Sequence, residues 1–416
     1  MKKLTLLTLS LIAFCSGSAQ SLRELYQAGT KAYEEKNYQV FKEKMYSIDT
    51  MRPNYPPVVY NLAGGYALTG EIEKSIKTLK QYILMNASQD FTKDTDFATL
   101  EGNPEFEMIV EKQRELTKEI AVNIAYEFPI LASHSECITY SKKQDTFFLG
   151  GVRDGKIWKV KEGEEPVLWA DSPENSWAVM GLEISKDRKT LWACTSAMTN
   201  FKELKEEDKD KASVLKYDLK KGTLLETFAV PANHIFGDMI TDSKGNVYIS
   251  DGTANQLYWV SKETGKLEIF TDLNDTIFNL QGLTFNTDES AMYLSDYIDG
   301  IYKLDMTSRE IQKLSVPDDV LLKGIDGLYF VENSLIGLHN GTTPNRVISY
   351  ALNDQGTTII NKTVNAQAGV LGEPTQGTLV NGQLFYIANS PWGAYDREGN
   401  FSPSDGPAII GKISVK

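Results

Sequence analysis

The chain has 416 residues, of which 41% are hydrophobic, and its formal net charge at pH 7 is -13. This length exceeds what one ordinary hydrophobic core needs, so we expect two domains, and the apolar fraction is that of a packed protein rather than a disordered one. An acidic surface repels phosphate backbones and argues against a nucleic-acid partner, whereas it suits solubility or cation binding.

Residues 1–19 have the pattern of a signal peptide. Two lysines precede an apolar run over residues 4–14, and small residues that suit a signal peptidase follow, ending at Ala19. We therefore expect an exported protein, periplasmic or secreted, whose mature chain begins at Gln20. Lipoprotein processing at Cys15 is the alternative. No other segment is long and apolar enough to predict a transmembrane helix.

Two cysteines remain beyond this segment, Cys137 and Cys194, and both stand in apolar, strand-like runs. Two thiols in a large exported domain do not make a disulfide framework. We expect both side chains to be buried as small hydrophobic groups.

Residues 20–119 are expected to form a small α-helical domain, because apolar residues recur there at helical spacing. Tyr33 and Tyr66 hold equivalent places in two copies of one scheme, and a turn follows each tyrosine within its copy, at Lys36-Asn37 and at Thr69-Gly70. The segment resembles tetratricopeptide repeats, with two units and a trailing helix. Stacked helix pairs can dock a protein partner or form a structural cap, and both roles remain open.

Residues 120–416 are expected to be mainly β. One hairpin phrase recurs six times, and its turns are rich in Asn, Asp and Gly. Two further strand-like runs follow most copies, so each unit has four antiparallel strands, which predicts a six-bladed β-propeller. A pair of β-sandwiches and a seven-bladed ring are the alternatives. The copies begin at Glu136, Met180, Asp238, Gln281, Asp326 and Gln376.

The last unit is one strand short, since only AIIGKISVK follows its hairpin. The run IAVNIAYEF, which precedes the first unit, has no partner of its own. We therefore expect residues 120–128 to supply the outer strand of the last blade, and this pairing would close the ring and remove its open edges.

The first strand of each propeller blade lines the central channel, so the six openings should gather at one mouth. Five of the six are oxygen donors, and Glu136, Asp238 and Asp326 are carboxylates. Carboxylates held close together repel unless a cation or a proton compensates. Oxygen donors suit Ca²⁺ or Mg²⁺, while a polar, water-filled channel without metal is the alternative. The residues that end the second strands should lie near the same mouth: Asp251, Asp296, Asn340 and Asn389.

Short motifs in these phrases give the β region, over about residues 130–416, a resemblance to the SMP-30/gluconolactonase/LRE-like family. HSECITYS is similar to the motif that supplies the family's first metal ligand, here Glu136. LQGLTF places Gln281 where the second ligand, an Asn, stands, and IDGLYF maps Asp326 onto the third ligand and presumed general base. The resemblance implies Ca²⁺, or another divalent cation such as Zn²⁺ or Mg²⁺, and hydrolysis of a lactone or an ester.

The third-blade motif departs from the family. HIFGDM has Ile235 and Gly237 where the sugar-lactone members carry an Arg and an Asn, which makes gluconolactone a doubtful substrate. We expect Asp238 to serve as an additional ligand and His339 to assist Asp326 as an acid or base. Substrate contacts are expected from His234, Gln376, Asn340, Asn389 and Asp296. A non-catalytic propeller that binds a protein or glycan partner is the alternative function.

Overall fold

The computed structural model describes residues 16–129, 133–396, 399–403 and 406–414. The chain divides into two compact units, one of which runs through Ile83 and includes Gln89–Glu111. The other contains Leu84–Ser88 and the chain from Lys112 onward. Most of the expected signal peptide, residues 1–15, lies outside the described residues, so that expectation stays a prediction. No helix in the described ranges is long and apolar enough to cross a membrane.

The N-terminal region is helical, as expected. Lys36 has a φ of 58° and Gly70 a φ of 78°, so both predicted turns leave the helical conformation where a hairpin requires it. The Asn37 side chain caps the second helix by accepting the N–H of Val40. The tetratricopeptide character of these hairpins remains a prediction. The α-helices within the described residues are α1 (Ser16–Glu34), α2 (Tyr38–Met51), α3 (Pro56–Leu68), α4 (Ile72–Met85) and α5 (Pro104–Leu116).

The β region contains 24 strands within the described residues. In chain order they are β1 (Ile124–Phe128), β2 (Ser135–Ser141), β3 (Thr146–Gly151), β4 (Ile157–Val160), β5 (Val167–Ala170), β6 (Ala178–Ile184), β7 (Thr190–Ser196), β8 (Lys211–Asp218), β9 (Leu224–Ala232), β10 (Phe236–Thr241), β11 (Val247–Asp251), β12 (Gln256–Val260), β13 (Leu267–Asp272), β14 (Leu280–Phe285), β15 (Ala291–Asp296), β16 (Gly300–Asp305), β17 (Ile311–Lys313), β18 (Ile325–Val331), β19 (Ser334–His339), β20 (Arg346–Leu352), β21 (Ile359–Gln367), β22 (Gly377–Val380), β23 (Gln383–Ile387) and β24 (Ala408–Ser414).

These strands form six antiparallel sheets of four, which confirms the six-bladed β-propeller. Five blades take four consecutive strands, from β2–β5 to β18–β21. The sixth has the order β22-β23-β24-β1, so the first strand of the region completes the last blade as predicted. Tyr126 pairs with Ile410, and Phe128 pairs with Ala408.

The start of the predicted closing segment has a different partner. Ile120 exchanges two backbone hydrogen bonds, of 3.0 and 2.9 Å, with Gln367 at the end of β21 in blade five. Residues 120–128 therefore contact two neighbouring blades, and only Ile124–Phe128 form the outer strand of blade six.

Hydrophobic side chains fill the space between successive blades. Phe148 of blade one packs in one cluster with Leu182 of blade two, and each further pair of neighbouring blades encloses a cluster of its own. Cys137 and Cys194 lie inside these layers as free, buried thiols, which confirms the expectation from the sequence. Burial raises the pKa of both thiols well above its usual value.

Closure by β1 gives a prediction for two truncated chains. A chain that begins at Lys112 should melt cooperatively, whereas one that lacks residues 112–129 should melt at a lower temperature and aggregate, because β24 would become an exposed edge. Circular dichroism melting and size-exclusion chromatography of the two chains compare them directly. Equal melting temperatures would show that β1 does not hold the ring together.

Candidate functional site

The openings of the first strands converge on the channel. The Gln376 amide of blade six donates from Nε2 to the backbone oxygens of Met180 in blade two and Gly237 in blade three, at 2.6 and 2.7 Å. In blade six, Thr375 Oγ1 donates to the Glu136 carbonyl oxygen of blade one at 2.7 Å. Strands that are far apart along the chain thus meet around one axis.

Strand register shows which opening residues are equivalent. A β-bulge interrupts the pairing of the first two strands at the mouth end of blades one to five. Counted from the paired residue before each bulge, Glu136, Gln281 and Asp326 share one position. Glycine follows Gln281 and Asp326 because the next blade comes close there: a Cβ on Gly282 would collide with the carbonyl oxygen of Asp326.

The structure corrects the predicted position of Asp238 among the residues that open the first strands. The residue of blade three in the shared position is Gly237, and Asp238 stands one residue further along. Its carboxylate accepts backbone N–H groups from Met239 at 2.8 Å and from Leu283 of blade four at 3.2 Å. Burial raises the pKa of Asp238 to about 7. Both oxygens are therefore engaged between blades, so Asp238 is poorly placed to serve as the additional metal ligand.

Glu136 is held through one oxygen. Its Oε2 accepts hydrogen bonds from Ser390 Oγ at 2.7 Å and from Trp392 Nε1 at 2.8 Å. The side chain is almost fully buried. No hydrogen bond reaches Oε1 from the residues described, so this oxygen remains available to a proton or a ligand.

His134 extends this network, and its tautomer follows from the network. The ring lies 3.0 Å from Ser390 Oγ through Nε2 and 2.8 Å from the Tyr395 hydroxyl through Nδ1. Ser390 has one hydroxyl proton and gives it to Glu136, so His134 donates from Nε2 and accepts at Nδ1. Burial lowers the pKa of His134 to about 3, which keeps the ring neutral. The chain of donors therefore ends on Glu136.

Asp326 is arranged in the same way. Its Oδ2 accepts the Asn340 amide at 2.7 Å, and Asn340 Oδ1 accepts the Tyr297 hydroxyl at 2.8 Å. Asn340 thus lies next to Asp326, and its predicted role as a substrate contact stays a prediction. Oδ1 of Asp326 receives no hydrogen bond within the described parts of the chain. Two carboxylates of the mouth therefore each present one oxygen that is already satisfied and one that is open.

These carboxylates repel one another. Burial, followed by repulsion from Asp326, raises the pKa of Glu136 well above its usual value, although the Ser390 and Trp392 hydrogen bonds oppose the rise. Burial raises the pKa of Asp326 to about 6. Burial and repulsion from Asp326 raise the pKa of Glu373 to about 7. The mouth is thus an acidic site that a proton or a cation would stabilise.

The donors suit a hard divalent cation only as a mixed set. No three His, Cys, Asp or Glu side chains in the described residues lie close enough together to hold an ion. The open oxygens of Glu136 and Asp326 could be joined by the amide oxygen of Gln281, whose nitrogen is occupied by Asn279 Oδ1 at 3.0 Å. Gly237 leaves room for that oxygen, since a Cβ there would lie 3.1 Å from it. Carboxylate and amide oxygens fit Ca²⁺ or Mg²⁺ better than Zn²⁺.

His339 is not at the mouth. It is 1% exposed, and its Nδ1 donates to the Lys323 carbonyl oxygen at 3.0 Å. Its Nε2 accepts the Tyr350 hydroxyl at 2.8 Å, and burial lowers its pKa to about 3. With both ring nitrogens engaged inside blade five, His339 has no free atom for the predicted acid or base role.

Three predicted substrate contacts are also engaged by the backbone. Asp296 is fully buried and accepts N–H groups from Phe278, Asn279 and Ile298. Asn389 donates to the Pro407 carbonyl oxygen at 3.0 Å and accepts the Ile409 N–H at 2.7 Å. Gln376 spans the channel as described above. These side chains shape the mouth rather than face a ligand.

Glu373 and Ser390 belong to the site but were not predicted. They precede and follow the last hairpin, and their backbones pair through a 2.9 Å hydrogen bond from the Ser390 N–H to the Glu373 carbonyl oxygen. That pairing brings Glu373 beside the residue that orients Glu136. The repeated phrase starts at Gln376, so its pattern carried no signal for a carboxylate placed just ahead of it.

Comparisons with known proteins show the fold. No protein-family model and no curated protein matches the chain. Its structure is similar to the PQQ-bound aldose sugar dehydrogenase of Streptomyces coelicolor, with 10% identity, 71% of this chain and 99% of that chain covered, and a TM-score of 0.50. It also matches the calcium-binding protein regucalcin of Agrobacterium tumefaciens, with 13% identity, 71% and 95% covered, and a TM-score of 0.48. It also matches virginiamycin B lyase of Staphylococcus aureus, with 14% identity, 70% of this chain and 87% of that chain covered, and a TM-score of 0.47.

The raised carboxyl pKa values predict how stability depends on pH. Between the unfolded pKa of about 4 and the folded values of about 6 and 7, Asp326 and Glu373 bind more protons in the folded protein than in the unfolded chain. Together with the other raised carboxyl groups of the channel, they outweigh the opposite effect of the buried, neutral His134 and His339. Stability should therefore fall as pH rises through this window. Asp326→Asn should reduce this decrease in stability with pH and raise the melting temperature at pH 8 by a few degrees.

Differential scanning calorimetry at pH 5 and pH 8, with a chelator present, measures this effect. Glu263→Gln, which removes an exposed carboxylate of a distant turn, is the control and should leave the pH dependence of the parent unchanged. A parent whose stability rises from pH 5 to pH 8, or an Asp326→Asn variant that behaves like the parent, would contradict the electrostatic description of the mouth.

Proposed function

We propose that the propeller is a hydrolase of lactones or esters that works at the acidic mouth with a bound divalent cation. One observation carries the proposal: Glu136 is buried and Asp326 is partly buried, the two carboxyl groups repel each other, and each has one oxygen fixed by hydrogen bonds and one open. Without a cation, the repulsion between the two carboxylates is unfavourable, so binding of a cation would lower the free energy of the site. The hydrogen bonds fix the direction of both open oxygens. The signal-like residues 1–19 support an exported enzyme, and the helical hairpins support docking of a protein partner.

The open oxygens of Glu136 and Asp326, with the amide oxygen of Gln281, would hold the cation. When bound, it would polarise the substrate carbonyl and stabilise the negative charge that develops on its oxygen. Ser390 and Trp392 keep Glu136 in place, so its open oxygen stays directed at the site without reorganisation.

Asp326 is the best candidate for the general base. Asn340 occupies its Oδ2, so Oδ1, which would hold the cation through one lone pair, accepts a proton from an attacking water through the other. Asn340 is oriented in turn by Tyr297, and this hydrogen bond keeps the amide N–H, rather than its oxygen, toward Asp326. The pair thus sets both the direction and the acceptor atom of the base.

The test combines cation binding with hydrolysis. The parent should bind one Ca²⁺ by isothermal titration calorimetry and hydrolyse members of a lactone and ester panel. Glu136→Gln and Asp326→Asn should lose binding and lower kcat/KM by roughly 100-fold or more, the range expected when a proton-transfer group is removed. Each variant keeps the shape of the side chain and removes its charge.

Glu183→Gln is the matched control. Glu183 is a carboxyl of β6 whose pKa burial raises, and it accepts the Thr241 hydroxyl at 3.1 Å. Its loss should leave Ca²⁺ binding and hydrolysis intact. A parent that neither binds the ion nor turns over any substrate would favour the non-catalytic scaffold, and an equal loss in the control would point to general disruption of the channel.

A further inference from the structure

A second proton-transfer group lies on the blade-three side of the mouth. His234 Nδ1 is 2.6 Å from Oδ2 of Asp251, which is fully buried. The other carboxylate oxygen accepts backbone N–H groups from Ile235, Thr253 and Ala254 at 3.2, 3.0 and 3.0 Å. Surrounded by donors, the carboxylate acts as an acceptor, so Nδ1 of His234 carries the shared proton.

The opposite edge of the ring is open. No hydrogen bond to Nε2 comes from any residue in the described ranges, and the side chain is 15% exposed. The ring is steadied by an edge-on contact with Tyr258, whose centroid is 5.7 Å away. A fixed imidazole with a buried carboxylate behind it and a free nitrogen in front is suited to proton transfer.

The neighbouring blade shows that the fold does not require this imidazole. Phe236 pairs with Asp251 in blade three as Leu280 pairs with Asp296 in blade four, so Phe278 holds the position of His234. There the backbone N–H of Phe278 donates to Asp296 Oδ2 at 2.8 Å. A backbone amide therefore completes the carboxylate's hydrogen bonds in blade four, and the His234 side chain takes its place in blade three.

This dyad lies beside the residues of the mouth. Gly252 follows Asp251 directly, and a Cβ built on it would lie 3.3 Å from Gln281 Nε2 and 3.4 Å from Asn279 Nδ2. Gln281 is the amide that shares its strand position with Glu136 and Asp326. His234 is bonded to Asp251 and precedes Ile235, whose carbonyl oxygen accepts the Gly252 N–H, so the dyad is attached to the turn that adjoins Gln281.

We propose that His234 donates the proton that the leaving oxygen needs, an inference that rests on the proposed hydrolase function. As the tetrahedral intermediate collapses, the carbon–oxygen bond to the leaving group breaks and its electron pair takes the proton from Nε2 of the imidazolium. Asp251 stays bonded to Nδ1 and stabilises the charged ring before transfer. The neutral ring regains a proton from solvent, while the proton of the attacking water is taken by Asp326.

Leaving-group dependence tests this role. An alkyl ester or lactone expels an alkoxide that needs a proton, whereas p-nitrophenyl esters expel a phenolate that is stable without one. His234→Gln should lower kcat on the alkyl substrate by roughly 100-fold and change it little on the p-nitrophenyl ester. Glu136→Gln, the comparison variant, should lower both equally. A merely structural role for His234 would also affect both substrates alike.

The outcomes separate the two proposals. If His234→Gln hydrolyses both substrates as fast as the parent, or loses the same factor on both, the role of His234 is overturned. The hydrolase proposal is unaffected by either result. A parent that hydrolyses neither substrate would overturn both proposals together.

Chemical modification gives a readout that does not depend on turnover. The chain has three histidines. His134 and His339 have both ring nitrogens bonded and are 0% and 1% exposed, so diethyl pyrocarbonate should acylate His234 alone. Peptide mass spectrometry should find a single modified histidine in the parent and none in His234→Gln. An unmodified His234 would show that Nε2 is not open and would overturn the assignment.

Discussion

Antiparallel pairing between β1 and β24 is the constraint on which the rest of the propeller depends. It joins the beginning of the β region to its end, so the last blade has four strands like the others and the ring of six sheets is closed. A closed ring forces the first strands to approach one axis, and Glu136 of blade one and Asp326 of blade five therefore repel each other although they are far apart along the chain. The additional bonds between Ile120 and Gln367 fasten the same segment to blade five.

Burial of like charges is normally costly, and here the cost is concentrated at one place. Neighbouring side chains do not neutralise Glu136 and Asp326. They donate neutral hydrogen bonds to one oxygen of each and leave the other open. The interior therefore holds the carboxylates in position without removing the repulsion that a ligand can relieve. If the mouth binds a cation as proposed, stability without the ion and affinity for it are opposed at this site.

Periodicity predicted the blade count, the closing strand and the shared position of Glu136, Gln281 and Asp326, because all three follow from a repeated hairpin. It misplaced Asp238 by one residue, because Gly237 holds the shared position in blade three and the hydrophobic pattern does not show which polar or small residue opens the strand. His339 was assigned to the mouth from its place at a strand end, but its ring nitrogens bond to Lys323 and Tyr350, which only the packed blade brings together.

Glu373 and Ser390 escaped prediction for a related reason. Glu373 lies ahead of the repeated phrase and Ser390 is its last residue, and their relation to Glu136 depends on a loop pairing. Sequence reasoning thus located the residues that the repeat carries. It missed the residues that orient them.

The Gln376 side chain has a further consequence for traffic through the propeller. Its amide reaches from blade six to the carbonyl oxygens of blades two and three and so forms a crossbar over the central axis. A molecule that enters at the acidic end would be stopped by this side chain and could not pass along the axis. Under the proposed hydrolase function, substrate and product would therefore enter and leave by the same end of the channel.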